Sequence, residues 1–257
     1  MVAPLVNRFS RKLCASFRTI EHRRSMANAG GNFTMNNVVI IGADRGIGAA
    51  MANVYHRRGD AVIAVCLEGG TELEDDVRVV PNIDVTDDNA VQQLATALTD
   101  HPIDVLVHVA GRGSFDRWAQ FDYAQMLADY DLNALGPLRT ICALEANLQP
   151  GGRVGIVTSR MGSIGDNGSG RMYGYRMSKA AANMLGVNLH HQLEPRGIRV
   201  VLLHPGTVAT AMTRGAPNWD EFTKPTEAAE GLVSQMDRLG PDTPPEFRHA
   251  DGTLLPW

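Results

Sequence analysis

Val38-Val39-Ile40-Ile41-Gly42-Ala43-Asp44-Arg45-Gly46-Ile47-Gly48 sets four consecutive apolar residues directly before a glycine-rich turn. An uninterrupted apolar run of this kind is expected of a strand buried on both faces of a parallel sheet. Beyond the turn, Ile47, Ala50, Met51, Val54 and Tyr55 recur at helical spacing, which predicts a helix over 46–58. Gly42, Gly46 and Gly48 lack side chains, so the backbone can approach a pyrophosphate while the helix N-terminus faces its negative charge. The alternative is a tight strand-to-helix turn that holds no ligand.

The same alternation continues outward. Strands are predicted over 61–66, 77–80, 104–110, 153–158 and 199–203, and helices over 89–98, 123–147, 173–194 and 226–239, the long one broken near Gly136-Pro137. Successive β-α-β units require parallel strands with right-handed crossovers. The fold class is therefore α/β, a doubly wound parallel sheet with helices on both faces. A chain of 257 residues with 44% apolar content has enough core for one such domain, placed over residues 35–257. The tail, residues 247–257, reads as a hairpin ending in a packed Trp257.

Three widely spaced cysteines, Cys14, Cys66 and Cys142, give neither a disulfide framework nor a zinc cluster and read as reduced, buried small residues. No apolar run approaches the roughly 20 residues of a membrane span, so no membrane partner is expected. Residues 1–34 differ from the rest. Six basic residues (Arg8, Arg11, Lys12, Arg18, Arg23, Arg24) stand against Glu21 alone, so the −4 of the whole chain leaves −9 on residues 35–257. The segment reads as a translated leader before a start at Met35, with a cytoplasmic product, or as an organelle transit peptide with a mitochondrial one. A nucleic-acid-binding arm is a third reading, disfavoured by the acidic balance of the remainder.

The chemistry is expected between Ser159 and Lys179. On a helix, Tyr175 and Lys179 share one face, and a nearby ammonium favours the phenolate, bringing a tyrosine with a free pKa of about 10 toward acid/base work near neutrality. Ser159 ends the apolar strand before that helix and is placed to hold a substrate oxygen beside the tyrosine. Ser163, Ser169 and Tyr173 compete for these roles. Ser159 is preferred because it alone ends the strand, and Tyr175 because Tyr173 has no lysine four residues on.

With Gly42, Gly46, Ile47 and Gly48 upstream of Ser159, Tyr175 and Lys179, the chain from about residue 36 onward resembles the short-chain dehydrogenase/reductase family, a Rossmann-type fold. Residues 159–167, 175–179 and the final Leu-Pro-Trp are similar to its C-factor-like branch, whose substrates are poorly defined. The resemblance implies an oxidoreductase that moves a hydride between NADP or NAD and a small carbonyl/alcohol substrate. By it, Ser159, Tyr175 and Lys179 are catalytic. Asn133 is the fourth member, where a helix opened near Gly136-Pro137 frees a carbonyl to hold a water against the lysine. Cofactor contacts are implied at Gly42, Asp44, Arg45, Gly46, Ile47, Gly48, Leu67, Asp84, Val85, Ala110, Gly111, Tyr175, Lys179, Pro205, Gly206, Val208 and Thr210.

Several positions depart from the family. Ile41 stands for a threonine, His108-Val109 replaces two asparagines, and the loop from Ser159 to Tyr175 is longer than usual. His108 is expected to be a satisfied, partly buried histidine. Asp84 would contact the adenine or else cap the helix after Thr86. Arg45 could reach a 2′-phosphate and Glu68 a ribose; NADP is the preferred expectation. Residues 211–222 read as a lid. The small residues Ala180, Ala181, Ala182 and Gly186 allow close helix packing, and with the resemblance they imply a homodimer. The rival reading is a non-catalytic dinucleotide-binding regulator on the same fold.

Overall fold

The computed structural model describes residues 35–257, so every reading of residues 1–34, Cys14 included, lies outside the described residues. Seven strands are present among the described residues: β1 (Asn37–Ile41), β2 (Ala61–Val65), β3 (Arg78–Val80), β4 (Ile103–His108), β5 (Leu148–Val157), β6 (Arg199–His204) and β7 (Glu246–His249). They form one sheet in the order β3-β2-β1-β4-β5-β6-β7, with every neighbouring pair parallel. The helices are α1 (Gly46–Arg57), α2 (Asp88–Ala97), α3 (Tyr123–Tyr130), α4 (Gly136–Ala143), α5 (Tyr173–Leu193) and α6 (Pro225–Asp237).

The first strand shows why the apolar run is unbroken. Val38 and Ile40 join one core with Ala50, Met51 and Tyr55 of α1 and Leu232, Val233 and Met236 of α6. Val39 and Ile41 join the other with Leu94 of α2, Ile141 of α4 and Leu189 of α5. All four are fully buried, each contributing roughly 1.5–3 kcal/mol. A polar residue anywhere in the run would face one core or the other.

The long helix is interrupted beside Gly136-Pro137, as expected: residues 131–135 form one π-helical turn and Gly136-Pro137 opens α4. Two other expectations are corrected. Strand β5 starts at Leu148, reaching back past Gly151-Gly152 through a register shift between Ile103 and Val105 in its pairing with β4. Cys66 is buried but Cys142 is exposed, because it lies on the outer face of α4. The tail turns back on itself, with Arg248 bridged antiparallel to Leu254 and Trp257 stacked on Phe247, yet its first arm is β7, a full parallel neighbour of β6. No helix among the described residues is long and apolar enough to cross a membrane.

Candidate active site

The C-terminal ends of β1, β2, β4, β5 and β6 open onto one edge of the sheet, where a ligand of an open α/β fold is expected. At the end of β1, Gly42 has φ 83°, and a Cβ there would lie 2.5 Å from the Ala110 nitrogen. A Cβ on Gly48 would lie 2.1 Å from the Gly42 carbonyl oxygen. Both glycines are thus required by backbone packed on backbone. Arg45, in extended conformation, precedes α1 without capping it, so the first-turn amides past Gly46 are left for an anion.

Acidic side chains surround this turn. The Asp44 carboxylate accepts from the amides of Leu67 (2.9 Å), Glu68 (2.7 Å) and Gly69 (3.3 Å), tying the turn to the loop after β2. Glu72 accepts from the Gly46 amide at 2.7 Å, and Glu68 pairs with Arg45 at 3.7 Å. Asp84 accepts from the amide and hydroxyl of Thr86 (2.8 and 2.7 Å). The capping expected of Asp84 falls to Asp87, which accepts from Asn89. Val85 is buried beneath Gly136.

The second half of the site is built from β5, the π-helical turn and α5. Ser159 and Tyr175 are both buried, with Ser159 Oγ accepting from the Met161 amide at 3.2 Å and the serine close enough to act on the phenol. Burial pushes the Tyr175 phenol up, the neighbouring Ser159 pulls it down, and the buried Asp129 carboxylate adds to the upward shift. The expected depression by Lys179 is therefore not what governs the phenol here. The Lys179 ammonium lies 5.9 Å from the tyrosine ring centroid and donates to the Val157 carbonyl at 3.1 Å. Burial lowers it to about 8.

Asn133 sits inside the π-helical turn, and its side chain is a clamp. Its Oδ1 accepts from the Arg112 amide (3.0 Å), while its Nδ2 donates to the Arg112 carbonyl and to Ser178 Oγ (both 2.9 Å). Ser178 in turn donates to the Tyr175 carbonyl at 2.8 Å. Pro137 has no N–H to give to the Asn133 carbonyl four residues before it, so that carbonyl lacks its α-helical partner. His108 corrects another expectation: it is wholly buried, its Nε2 has no hydrogen-bond partner, and burial with the nearby Lys179 charge lowers it to about 3.

These pieces face a cavity of about 730 Å³ lined by Ser159, Tyr175, the turn Pro205-Gly206-Thr207-Val208 after β6, and Met212 and Phe222. Thr210 and Ile47 line it from the glycine turn. Residues 211–222 cover it, pinned by the bridge between Val208 and Thr223 and by Thr213, whose hydroxyl donates to the Val208 carbonyl at 2.6 Å. Ser163 bonds the Trp257 carbonyl (3.1 Å) and Ser169 accepts from Arg176 (2.9 Å), so both competing hydroxyls are engaged in the loop. Tyr173 packs with Trp118 and Phe121 outside the cavity.

The short chain dehydrogenase family profile matches residues 36–221. The chain belongs to the short-chain dehydrogenase family. The dehydrogenase is 46% identical over 226 residues to the 1-hydroxy-2-glutathionyl-2-methyl-3-butene dehydrogenase of Rhodococcus sp. (strain AD45), covering 87% of this chain and 100% of that protein. It is 40% identical over 170 residues to C-signal of Myxococcus xanthus, covering 65% of this chain and all of that protein. Its fold matches a carbonyl reductase from Pseudomonas aeruginosa PAO1 in complex with NADP, with TM-score 0.76, 29% identity, and 87% of this chain and all of that chain covered. The chain is thus an NAD(P)-dependent oxidoreductase acting on small molecules, and the non-catalytic reading is not favoured.

The site residues fit a dinucleotide on two observations. Past Gly46, whose amide Glu72 holds, the first-turn amides of α1 have no side-chain cap and lie beside glycines that allow close approach, and among the described residues the buried Lys179 gives one of its three hydrogens, to the Val157 carbonyl. Sequence reasoning missed Arg112, Asp129 and Ser178. Asp129 is fully buried and holds Arg112 Nε (2.8 Å), Gln125 Nε2 (2.9 Å) and the Ser114 hydroxyl. Its one sequence signal is the helical spacing of Gln125 and Asp129.

Proposed function

We propose that the dehydrogenase interconverts a carbonyl and an alcohol, with Tyr175 carrying the proton. Ser159 and Tyr175 side by side on the wall of one cavity, with Lys179 buried beneath, are the observation that supports this reading most directly. The nicotinamide, when bound, supplies or accepts the hydride. Tyr175 gives its proton to the substrate oxygen in reduction and takes it back in oxidation, while Ser159 donates to the same oxygen and to the phenolate. Lys179 holds a ribose with its spare hydrogens and lends positive charge beneath the phenol. The freed Asn133 carbonyl is placed to hold the water that links Lys179 to solvent, and the Asn133 side chain positions Gly111-Arg112 against α5.

The dinucleotide is held by Gly42, Gly46, Ile47 and Gly48 at its phosphates, by Ala110 and Gly111 along its ribose, by Asp84 and Val85 at its adenine, and by Pro205, Gly206, Val208 and Thr210 at its nicotinamide end. Asp44 and Leu67 shape the adenosine end through their mutual hydrogen bond. NADP is the preferred cofactor, supported by Arg45 and by the NADP complex of the Pseudomonas reductase. NAD is the second reading, favoured by Glu68, which pairs with Arg45 and opposes a 2′-phosphate. A hydroxyl compound bearing a glutathionyl group, as in the name of the Rhodococcus relative, is the first substrate to assay.

A homodimer through α3 and α5 is part of the same reading, supported by the exposed Tyr123, Leu127, Met177 and Met184. So is a cytoplasmic site of action, with residues 35–257 sufficient for folding and turnover. The test is titration of NADPH and NADH separately, then a carbonyl and alcohol panel with whichever binds, on wild type and Tyr175→Phe. Turnover lost in the variant with dinucleotide binding kept is expected. Turnover that survives the substitution would sink the mechanism.

A further inference from the structure

The charge on the cavity wall is uneven. Its charged residues are Arg160, Asp166, Arg176 and Arg214. Arg160 is neutralised by Asp166 within the same loop. Arg214 lies on the covering segment directly after Thr213, in the same stretch as Thr210, which packs beside Gly46. Arg176 is different: it follows Tyr175 directly on α5 and pairs with no acid among the described residues.

Every partner of the Arg176 guanidinium is neutral. Nε donates to the carbonyls of Gly170 and Arg171 (both 3.0 Å), one terminal nitrogen to the Met161 carbonyl (3.2 Å), and the other to Ser169 Oγ (2.9 Å). A guanidinium carries five hydrogens, so one on each terminal nitrogen is left over, a pair suited to the two oxygens of a carboxylate. The acceptors come from the long loop between Ser159 and Tyr175. That loop wraps Arg176 and fixes its orientation, which removes most of the ordering cost a free arginine would meet on binding.

Resting on the carbonyl/alcohol reading above, we propose that Arg176 is the substrate-side anion receptor of this dehydrogenase, and that its substrates carry a carboxylate apart from the reacting carbonyl or hydroxyl. Phe115, Met161, Met172 and Met212 give the cavity apolar walls for the body of such a molecule. The preference belongs to the substrate and not to the dinucleotide, whose phosphates face α1.

The test compares kcat/KM for 4-carboxybenzaldehyde and for its methyl ester, with the reduced dinucleotide that binds, in wild type, R176Q and R176K. Wild type should favour the carboxylate by at least about tenfold, the size of one charge-assisted hydrogen bond. The ratio should fall to about one in R176Q and lie between in R176K, which keeps the charge without the fork. Calorimetry of benzoate and benzamide on the dinucleotide-bound protein gives a readout free of turnover: benzoate should bind more tightly in wild type, and this advantage should vanish in R176Q. A wild-type ratio of one, an unchanged ratio in R176Q, or equal binding of benzoate and benzamide overturns the proposal. If R176Q does not fold, as its melting curve would report, wild type against R176K decides. Arg176-dependent benzoate binding without turnover of either aldehyde would leave the receptor standing and reject the carbonyl/alcohol reading instead.

Discussion

Lys179 carries a conflict between stability and chemistry that can be measured. The residue is 4% exposed, and burial lowers its ammonium from 10.5 to about 8. A base whose folded pKa is depressed destabilises the fold below that value, because the unfolded chain keeps its proton more readily. The penalty is fully present below pH 8 and is relieved as pH rises from about 8 to 10.5. At most it is about 3 kcal/mol at neutral pH. Lys179→Met in the dinucleotide-free protein is therefore expected to raise stability at pH 7 by about 1–3 kcal/mol while abolishing turnover, with the gain shrinking at pH 10. Urea unfolding at the two pH values checks it, and a variant less stable than wild type at pH 7 would show that packing of the lysine stem outweighs its charge. The Tyr175-to-Lys179 spacing and the strand-end Ser159 could be read directly from the sequence because each is a local pattern. The Asn133 clamp and the Asp129 cluster could not, since their partners Arg112, Ser114 and Ser178 lie far along the chain and meet only in the fold.

Among the elements, α1 and the loop after β2 are set against each other. The helix start invites an anion, yet Glu72 already accepts from the Gly46 amide. A dinucleotide phosphate drawn to this end meets that carboxylate, both as a competitor for the amide and as a like charge. Glu72→Gln should therefore tighten dinucleotide binding by about threefold to tenfold at low salt, with a smaller gain at high salt. Fluorescence titration of NADPH and NADH reads it, and an unchanged dissociation constant would mean that the loop moves aside at no cost. Most elements were legible because apolar period and apolar run are properties of neighbouring residues. The exceptions have physical reasons. In β7 only Phe247 of four residues is fully buried, so no apolar run marks it. The start of β5 is masked by Gln149-Pro150-Gly151-Gly152. The helix break was legible from Gly136-Pro137, and it precedes its proline because a missing N–H is felt four residues upstream.

For the whole molecule, the open question is what α3 and α5 face. Leu127 is 71% exposed and Met184 63%, on helices that pack against each other. A second copy placed there would bury both stripes. Met184→Glu would put a charge into that contact, so sedimentation velocity should move from dimer to monomer at micromolar concentration. A wild-type protein that sediments as a monomer would remove the dimer from the reading.

The strand order has a temporal consequence. β1 lies between β2 and β4 in the sheet, so both strand neighbours of the glycine turn come from residues 61–108. Asn133, Ser159, Tyr175 and Lys179 all come later in the chain. On the ribosome, the glycine turn and both strands beside it therefore emerge before any of these four side chains.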